Sequence, residues 1–295
     1  MLILRSSSTT SAQYVGQTLP FSSATSPRPG PIFLAQSHME TFDTVIADTA
    51  ALREKAHRLR YEAYCIENKG FENPKNHPNG LEFDAYDAHS EQGLLIHCHS
   101  GLAIGSVRLI MPVEDRWDSS FPIQSLCKNS LTHDRETVMR TVEVSRMCIS
   151  RTMRKQICHA ETYQSSSDAQ QGDSKQLSAD NIIARTRSLL PYLSLGLIKI
   201  IVQVSLEKGG QAFATLDPRL LQLLTSFGIC TQRIGDDVDY HGVRTPVLMV
   251  ALDICENTYL HHPEVWKIIS DNGRLHDLAL QSKRRSNRPV LYAVR

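Results

Sequence analysis

Residues 142–149, Val-Glu-Val-Ser-Arg-Met-Cys-Ile, hold the reading of this chain. Their alternation of apolar and polar side chains predicts a β-strand with Glu143 and Ser145 on one face and Val144 and Arg146 on the other. Upstream, residues 93–99 and 102–110 are two further apolar runs joined at Ser100-Gly101, the pattern of an antiparallel hairpin. Earlier still, Phe42 to Ile46 reads as a short strand. A helix follows from about Thr49 to Glu67, with Leu52, Ala56, Leu59, Ala63 and Ile66 at helical spacing. Pro74, Pro78 and Gly80 then enforce a loop. Downstream, residues 182–207 form an apolar helical pattern that ends at Gly209-Gly210, and Ala212 to Leu216 reads as a strand. Asp217-Pro218 opens a short helix that stops at Gly228, and Val247 to Ile254 reads as a last core strand. The order β-α, β-β-β, α-β-α-β predicts an α/β (α+β) fold, a mixed central sheet flanked by helices.

Composition narrows what this sheet can serve. The 295 residues are 41% hydrophobic and 21% charged, which fits one large α/β domain or two small ones with an ample core. Thirty-two basic residues against 31 acidic ones leave no global field to draw in nucleic acid or a membrane, so a membrane surface could be met only through a local patch. Seven cysteines without a C-x-x-C pair suggest neither a disulfide framework nor a zinc knuckle. Reduced thiols, a cytoplasmic location, no metal and a monomer are the expectations. No stretch approaches the roughly 18 uninterrupted apolar residues of a spanning helix. Residues 1–37 are rich in Ser, Thr, Pro and Gly and contain no acidic residue, a bias shared by transit peptides and disordered tails; Arg5 and Arg28 are too few to favour targeting, and a disordered tail is expected. The domain is expected over 38–256 with a mobile Ser-, Gln- and Asp-rich insertion at 159–180, followed by a helical extension and basic tail at 257–295.

Three clusters carry residue types that do chemistry. Arg60 and Tyr64 lie one helical turn apart on an otherwise apolar pattern. Glu82, Asp84 and Asp87 form an acidic group, and Arg108 sits in an apolar strand, where a charge is expensive unless paired. Glu143 beside Ser145 places a general base next to a hydroxyl. Spacing alone leaves a purely structural ion-pair network open for all three. His97 and His99 share a strand face but lack a third metal ligand, and Cys148 has no histidine near it in sequence to activate it.

Taken together, Arg60, Tyr64, Glu82, Asp84, Tyr86, Asp87, Gly105, Arg108, Leu109, Glu143, Ser145 and Arg146 resemble the motif series of the acyl-homoserine-lactone synthases. The chain is more similar still to the PEP-CTERM/exosortase system-associated acyltransferases and the bacterial N-acyl amino acid synthases. That likeness extends through Asp217-Pro218-Arg219-Leu220-Leu221, Gly228, Ile234-Gly235, Asp239-Tyr240-His241-Gly242, Arg244 and Pro246. The resemblance implies a GNAT-like fold and no tightly bound cofactor. It also implies a fatty acyl donor carried as the phosphopantetheine thioester of acyl carrier protein, and an amino acid or similar small amine as acceptor. Glu143, Ser145 and Arg146 would then be catalytic, and Arg60, Tyr64, Asp84, Asp87 and Arg108 would bind substrate.

Two departures bear on the reaction. Phe71 lies near where the autoinducer synthases place a tryptophan, and the insertion after Arg154 is foreign to them. Simple N-acylation is therefore expected ahead of autoinducer synthesis from S-adenosylmethionine, and ahead of a non-catalytic shell that binds an acyl metabolite. Coenzyme A enzymes of the superfold place a glycine-rich phosphate loop after the strand that corresponds to 142–149. Here Arg151-Thr152-Met153-Arg154-Lys155 stands in that place without a glycine, which argues against a coenzyme A donor. It makes Arg151, Arg154 and Lys155 candidates for docking an acidic carrier protein. The apolar helix over 189–204 is a candidate wall for the acyl chain.

Overall fold

A computed structural model describes residues 31–68, 70–157 and 184–286, so the expected insertion at 159–180 lies outside the described residues. In chain order, the elements that matter are α1 (Pro31–Thr41), β1 (Phe42–Ile46), α2 (Ala50–Tyr61), β2 (Ser90–His97), β3 (Ala103–Ile110) and β4 (Thr141–Ile149). After them come α3 (Leu193–Lys208), β5 (Gln211–Leu216), α4 (Pro218–Ser226), β6 (Gln232–Arg233), β7 (Val238–Asp239) and β8 (Val243–Val250). Three helices close the described chain: α5 (Ala251–His261), α6 (Pro263–Ile269) and α7 (Arg274–Ser286).

The eight strands form one mixed sheet in the order β1-β2-β3-β4-β5-β8-β6, with β7 also paired to β8. Only the β4–β5 pair is parallel, because α3 carries the chain back along the sheet before β5 begins. The expected α/β architecture with helices flanking a mixed sheet is therefore the one observed. Apolar spacing explains the layering. Leu193, Leu195, Leu197, Ile198, Ile200, Ile201, Val202 and Val204 of α3 are all buried in the main core. Residues Ala184–Lys208 are long and apolar enough to cross a membrane, yet 67% of their most apolar window is buried inside the protein. The helix proposed as an acyl wall is thus chiefly core.

Local chemistry sets the element boundaries. Thr49 caps α2 by accepting a hydrogen bond from Leu52 N at 3.2 Å. Beyond Tyr61 the helix loosens into a π-helical turn over Glu62–Glu67, a change that 3.6-residue spacing does not reveal. Asp217 caps α4 through Arg219 N at 2.8 Å, with Pro218 at the first helical position. Gly228 ends this helix with φ +74°, a conformation that favours glycine.

Two expectations need correction, and two short strands escape the sequence pattern. Residues 31–37 are not tail: they belong to α1, where Ala35, Ser37 and His38 are buried. The Ser, Pro and Gly bias upstream masks a helix that is stabilised by packing rather than by composition. The last strand runs Val243–Val250, and Ala251 to Ile254 form the first turn of α5. A continuous apolar run is buried equally well as strand or helix, so periodicity does not locate that transition. Strands β6 and β7, of two residues each, carry too few residues for alternation to register.

Helix α3 lies close on the sheet because two glycines permit it. A Cβ on Gly93 would come within 2.6 Å of Ile200 Cγ2, and one on Gly196 within 2.5 Å of Leu95 Cδ1. Gly93→Val is accordingly expected to overpack this contact and cost about 1–3 kcal/mol, seen as a lower urea midpoint with an unchanged slope. An unchanged midpoint would show that α3 can move away from the sheet freely.

Candidate active site

Strands β4 and β5 pair from Thr141–Gln211 to Val144–Ala214 and then separate, since beyond that register β5 pairs with β8 alone. The fork between them holds a cavity of about 180 Å³. Glu143, Val144, Ser145, Arg146 and Met147 line it from β4, and Thr215, Leu216 and Asp217 from the end of β5. Tyr64, Phe71, Arg108, Pro122, Leu220, Tyr240 and Arg244 complete the wall.

The residues singled out by sequence converge here through one ion-pair network. Arg60, fully buried, donates to Glu82 at 2.5 Å and reaches both Asp87 oxygens, at 2.6 and 3.0 Å. Arg108 donates to Asp84 at 2.6 Å, to Asp87 at 3.0 Å and to Ser145 Oγ at 2.9 Å. Arg146 closes the circuit, reaching Glu82 and Glu72 at 2.9 Å each and Asp84 at 3.5 Å. Burial works to raise the Asp87 carboxyl, but His57, whose Nε2 lies 3.7 Å away, and the guanidinium groups of Arg60 and Arg108 overcome it and hold Asp87 well below the usual carboxylate range. Glu82 and Asp84 are lowered in the same manner, against burial, by Arg60 and by Arg108 respectively.

Strict alternation would send Arg146 to the face opposite Ser145, and the structure corrects this. Arg146 has φ +48° in a bulge, where the β3–β4 register shifts between Ser106 and Arg108. The extra residue turns its side chain onto the acidic cluster, and a charge placed beside Val144 in the core would have had no partner. The guanidinium also lies 5.7 Å from the Tyr64 ring centre and 5.9 Å from that of Phe71. Tyr64 donates its hydroxyl to Met147 O at 2.9 Å, fixing the helix to the bulged strand.

Glu143 differs from these carboxylates. It is 2% exposed, accepts a hydrogen bond from Ile123 N at 3.0 Å and forms no salt bridge with a described residue. Burial pushes its carboxyl up to about 8, with the Ile123 amide and the charge of Arg108 opposing. A carboxyl poised near neutrality at the cavity wall can take up and release a proton under ordinary conditions. Cys148, in contrast, is pushed up to about 11 by burial, and its Sγ lies 3.4 Å from Ser106 Oγ, so the thiol is held in its unreactive form. His97 Nδ1 pairs with Ser100 Oγ at 2.9 Å on the outer part of the sheet.

The basic segment after β4 has a role the sequence does not announce. Residues 151–157 are helical, and the Glu67 carboxylate occupies the start of that helix. It accepts from Arg151 N and Thr152 N at 2.8 Å each and from Ser150 Oγ at 2.7 Å. Arg151 bonds to Glu67 and Asn68 as well, Arg154 is half-buried, and Lys155 is exposed.

Several site residues escape sequence reasoning. Glu72 and Gln92 join the network from a loop and a strand with no distinguishing pattern. Thr215 and Tyr240 reach the cavity only because β5 and the turn before β8 come together there. The mouth is a second cavity lined by Tyr64, Asn68, Gly70, Phe71, His241 and Arg244. There Phe71 is packed between Tyr64, at 4.7 Å between ring centres, and His241, at 4.4 Å. The Asp239-Tyr240-His241-Gly242 string is the one signal that could have drawn attention to this wall.

No curated protein matches the sequence significantly. Among solved structures, TofI in a ternary complex with an inhibitor and MTA is 14% identical, with 75% of this chain and 99% of that chain covered at a TM-score of 0.49. BjaI, a CoA-dependent acyl-homoserine lactone synthase with SAM and isopentyl-CoA, is 16% identical over 83% of this chain and 99% of that one, TM-score 0.45. FeeM, an N-acyl amino acid synthase from uncultured soil microbes, is 12% identical over 74% and 96%, TM-score 0.45. Residues 59–162, which span Arg60 through Lys155 and with them most of the site, match the family model described as Acetyltransferase (GNAT) domain.

Proposed function

We propose that this chain is an N-acyltransferase that moves a fatty acyl group from acyl carrier protein to the amino group of an amino acid or similar small amine. The observation that carries the reading is Glu143, a buried carboxyl raised to about 8 at the wall of a cavity opened by the β4–β5 fork. The GNAT domain match over residues 59–162 supports acyl transfer as the reaction class.

The chemistry requires a neutral amine. Glu143 takes the proton of the ammonium group, directly or through water, and the freed nitrogen attacks the thioester carbonyl carbon. The C–N bond forms, the C–S bond breaks, and the second proton of the now cationic nitrogen passes to the departing pantetheine sulfur, which leaves as the thiol, while Glu143 returns its proton to solvent. Beyond Val144 strand β4 is no longer paired by β5, and since Met147 O is taken by the Tyr64 hydroxyl, it is the backbone N–H groups around Arg146 to Cys148 that would meet the developing oxyanion. Arg108 lines the wall, whereas Arg60, Asp84 and Asp87 lie behind it among the network residues that brace Arg108 and, through it and Asp84, Ser145 and Arg146, with Tyr64 tying the helix to the strand.

The donor assignment rests on the start of helix 151–157. Glu67 already fills the amides that would face a phosphate, and no glycine lets the backbone approach one. A pyrophosphate would meet a carboxylate there, whereas a carrier protein can contact the exposed cations Arg151 and Lys155, with Arg154 beside them. A cytoplasmic location is consistent with that partner.

Glu143→Gln is expected to lower acyl transfer by roughly 10²- to 10⁴-fold, the usual range for loss of a general base. Only the carboxylate can accept a proton, so wild-type kcat/KM should rise with pH through about 8 and level off above it. The pH–rate profile of a purified chain checks both points, and a variant within a few-fold of wild type at every pH shows that the base lies elsewhere. On the donor side, decanoyl carrier protein is expected to surpass decanoyl-coenzyme A, and reversal of Arg151, Arg154 and Lys155 to Glu to raise KM for the carrier at low salt. Equal specificity constants for the two donors, or unaltered carrier kinetics in the triple variant, would contradict the assignment.

A further inference from the structure

The three cations that line the fork cavity are not equivalent. Arg108 has Asp84 and Asp87 at 2.6 and 3.0 Å, and Arg146 has Glu82 and Glu72 at 2.9 Å each. Each of these is surrounded by carboxylates. Among the described residues Arg244 has a single carboxylate, Asp217, at 3.4 Å, and that side chain is 46% exposed. Its other bonds go to neutral backbone oxygens, Val243 O at 2.8 Å and His241 O at 2.9 Å. Such acceptors fix the position of a guanidinium without cancelling its charge. Nε takes part in none of these bonds.

The turn is built to hold that position. His241 adopts φ +53° and Gly242 φ +94°, and Gly242 N donates to Asp239 Oδ1 at 3.2 Å. The backbone oxygen of His241 is thereby offered to Arg244, while its ring packs on Phe71 at the mouth. Arg244 lines both the inner cavity and the mouth cavity, so it stands at their junction. Glu143 lies on the wall of the same inner cavity.

One carboxyl that accepts a proton and one cation left short of negative charge form a complement to a small zwitterion. We infer that Arg244 anchors the carboxylate of the acceptor, so that the acceptor is an amino carboxylate rather than a neutral amine, with its nitrogen directed toward Glu143. This inference rests on the N-acyltransferase reading, and names the substrate feature that the site selects. Arg is suited to the task because its planar fork receives a carboxylate through two parallel hydrogen bonds. A cavity of about 180 Å³ keeps the acceptor small.

The test is binding as well as turnover. Saturation-transfer NMR on the full chain is run with the twenty proteinogenic amino acids and their α-amides, for wild type, Arg244→Gln and Arg244→Lys. At least one amino acid should bind wild type roughly 10-fold or more tightly than its amide, as loss of a charged hydrogen-bonding partner implies. Arg244→Gln should abolish that preference while leaving amide binding within about 3-fold, the small change expected where no charged contact is lost. Arg244→Lys, which keeps the charge but not the fork, should retain part of the preference and carries the test should the Gln variant fail to fold. Equal binding of acid and amide to wild type, no binding by any member of the panel, or an undiminished preference in a folded Gln variant overturns the inference. Turnover of decanoyl carrier protein with neutral amines but not amino acids overturns it as well, and leaves the transferase reading standing. Carboxylate-selective binding lost in Arg244→Gln, with no turnover from any donor, upholds the anchor and overturns the transferase reading.

Discussion

Arg60, Arg108 and Arg146 are held against Glu72, Glu82, Asp84 and Asp87, and the rest of the site depends on that buried assembly. Arg60 comes from α2, Arg108 from β3, Arg146 from β4, and the carboxylates from the connection between α2 and β2. Strands β3 and β4 already pair in the sheet, but backbone hydrogen bonding alone does not bring α2 and the connection after it onto them. Removal of one member of such a buried pair leaves an uncompensated charge, at about 3–5 kcal/mol, so the network acts as an all-or-none clamp. It sets the position of α2 against the bulged end of β4, and through Tyr64 it fixes the strand edge that faces the fork.

The clamp also accounts for the division of labour among the acidic residues. Those inside it are surrounded by guanidinium groups and stay ionised, which suits them to structure rather than to proton transfer. Glu143 is excluded from it. Across the strand pair, Ser145 takes up the Arg108 Nε hydrogen, and Glu143, two residues earlier, is left with an amide partner and an apolar surround. One site thus carries carboxylates at opposite extremes, those of the α2–β2 connection held low and Glu143 of β4 raised, the arrangement in which a structural set and a proton-accepting group can be told apart.

Much of this was legible before any coordinates. The alternation in 142–149, the hairpin before it and the Gly209-Gly210 stop predict β2, β3, β4 and the end of α3. Arg108 in an apolar strand implies a carboxylate partner, and Asp84 and Asp87 prove to be that partner. What was not legible depends on tertiary contact. Alternation assigns Arg146 to the wrong face because a bulge is a property of two strands in register, not of one sequence. Glu67 at the start of helix 151–157 is brought in from a distant segment, so nothing in its neighbours signals it, and Arg244, though part of the string after Asp239, shows its place at the cavity junction only in the folded chain. The strand-to-helix change at Val250 and Ala251 is hidden because both sides of it are apolar and buried.

The account turns on a single claim: the fork beside Glu143 joins an acyl group to an amine. Mass spectrometry of lipid extracts from cells that overproduce the chain, set against cells that overproduce Glu143→Ala to the same level, tests it directly. The account predicts a series of N-acylated small amines, with amide-bond fragmentation, that is present with the wild-type chain and absent with the variant. Equal amounts of such products in both cultures, or none in either, would contradict it.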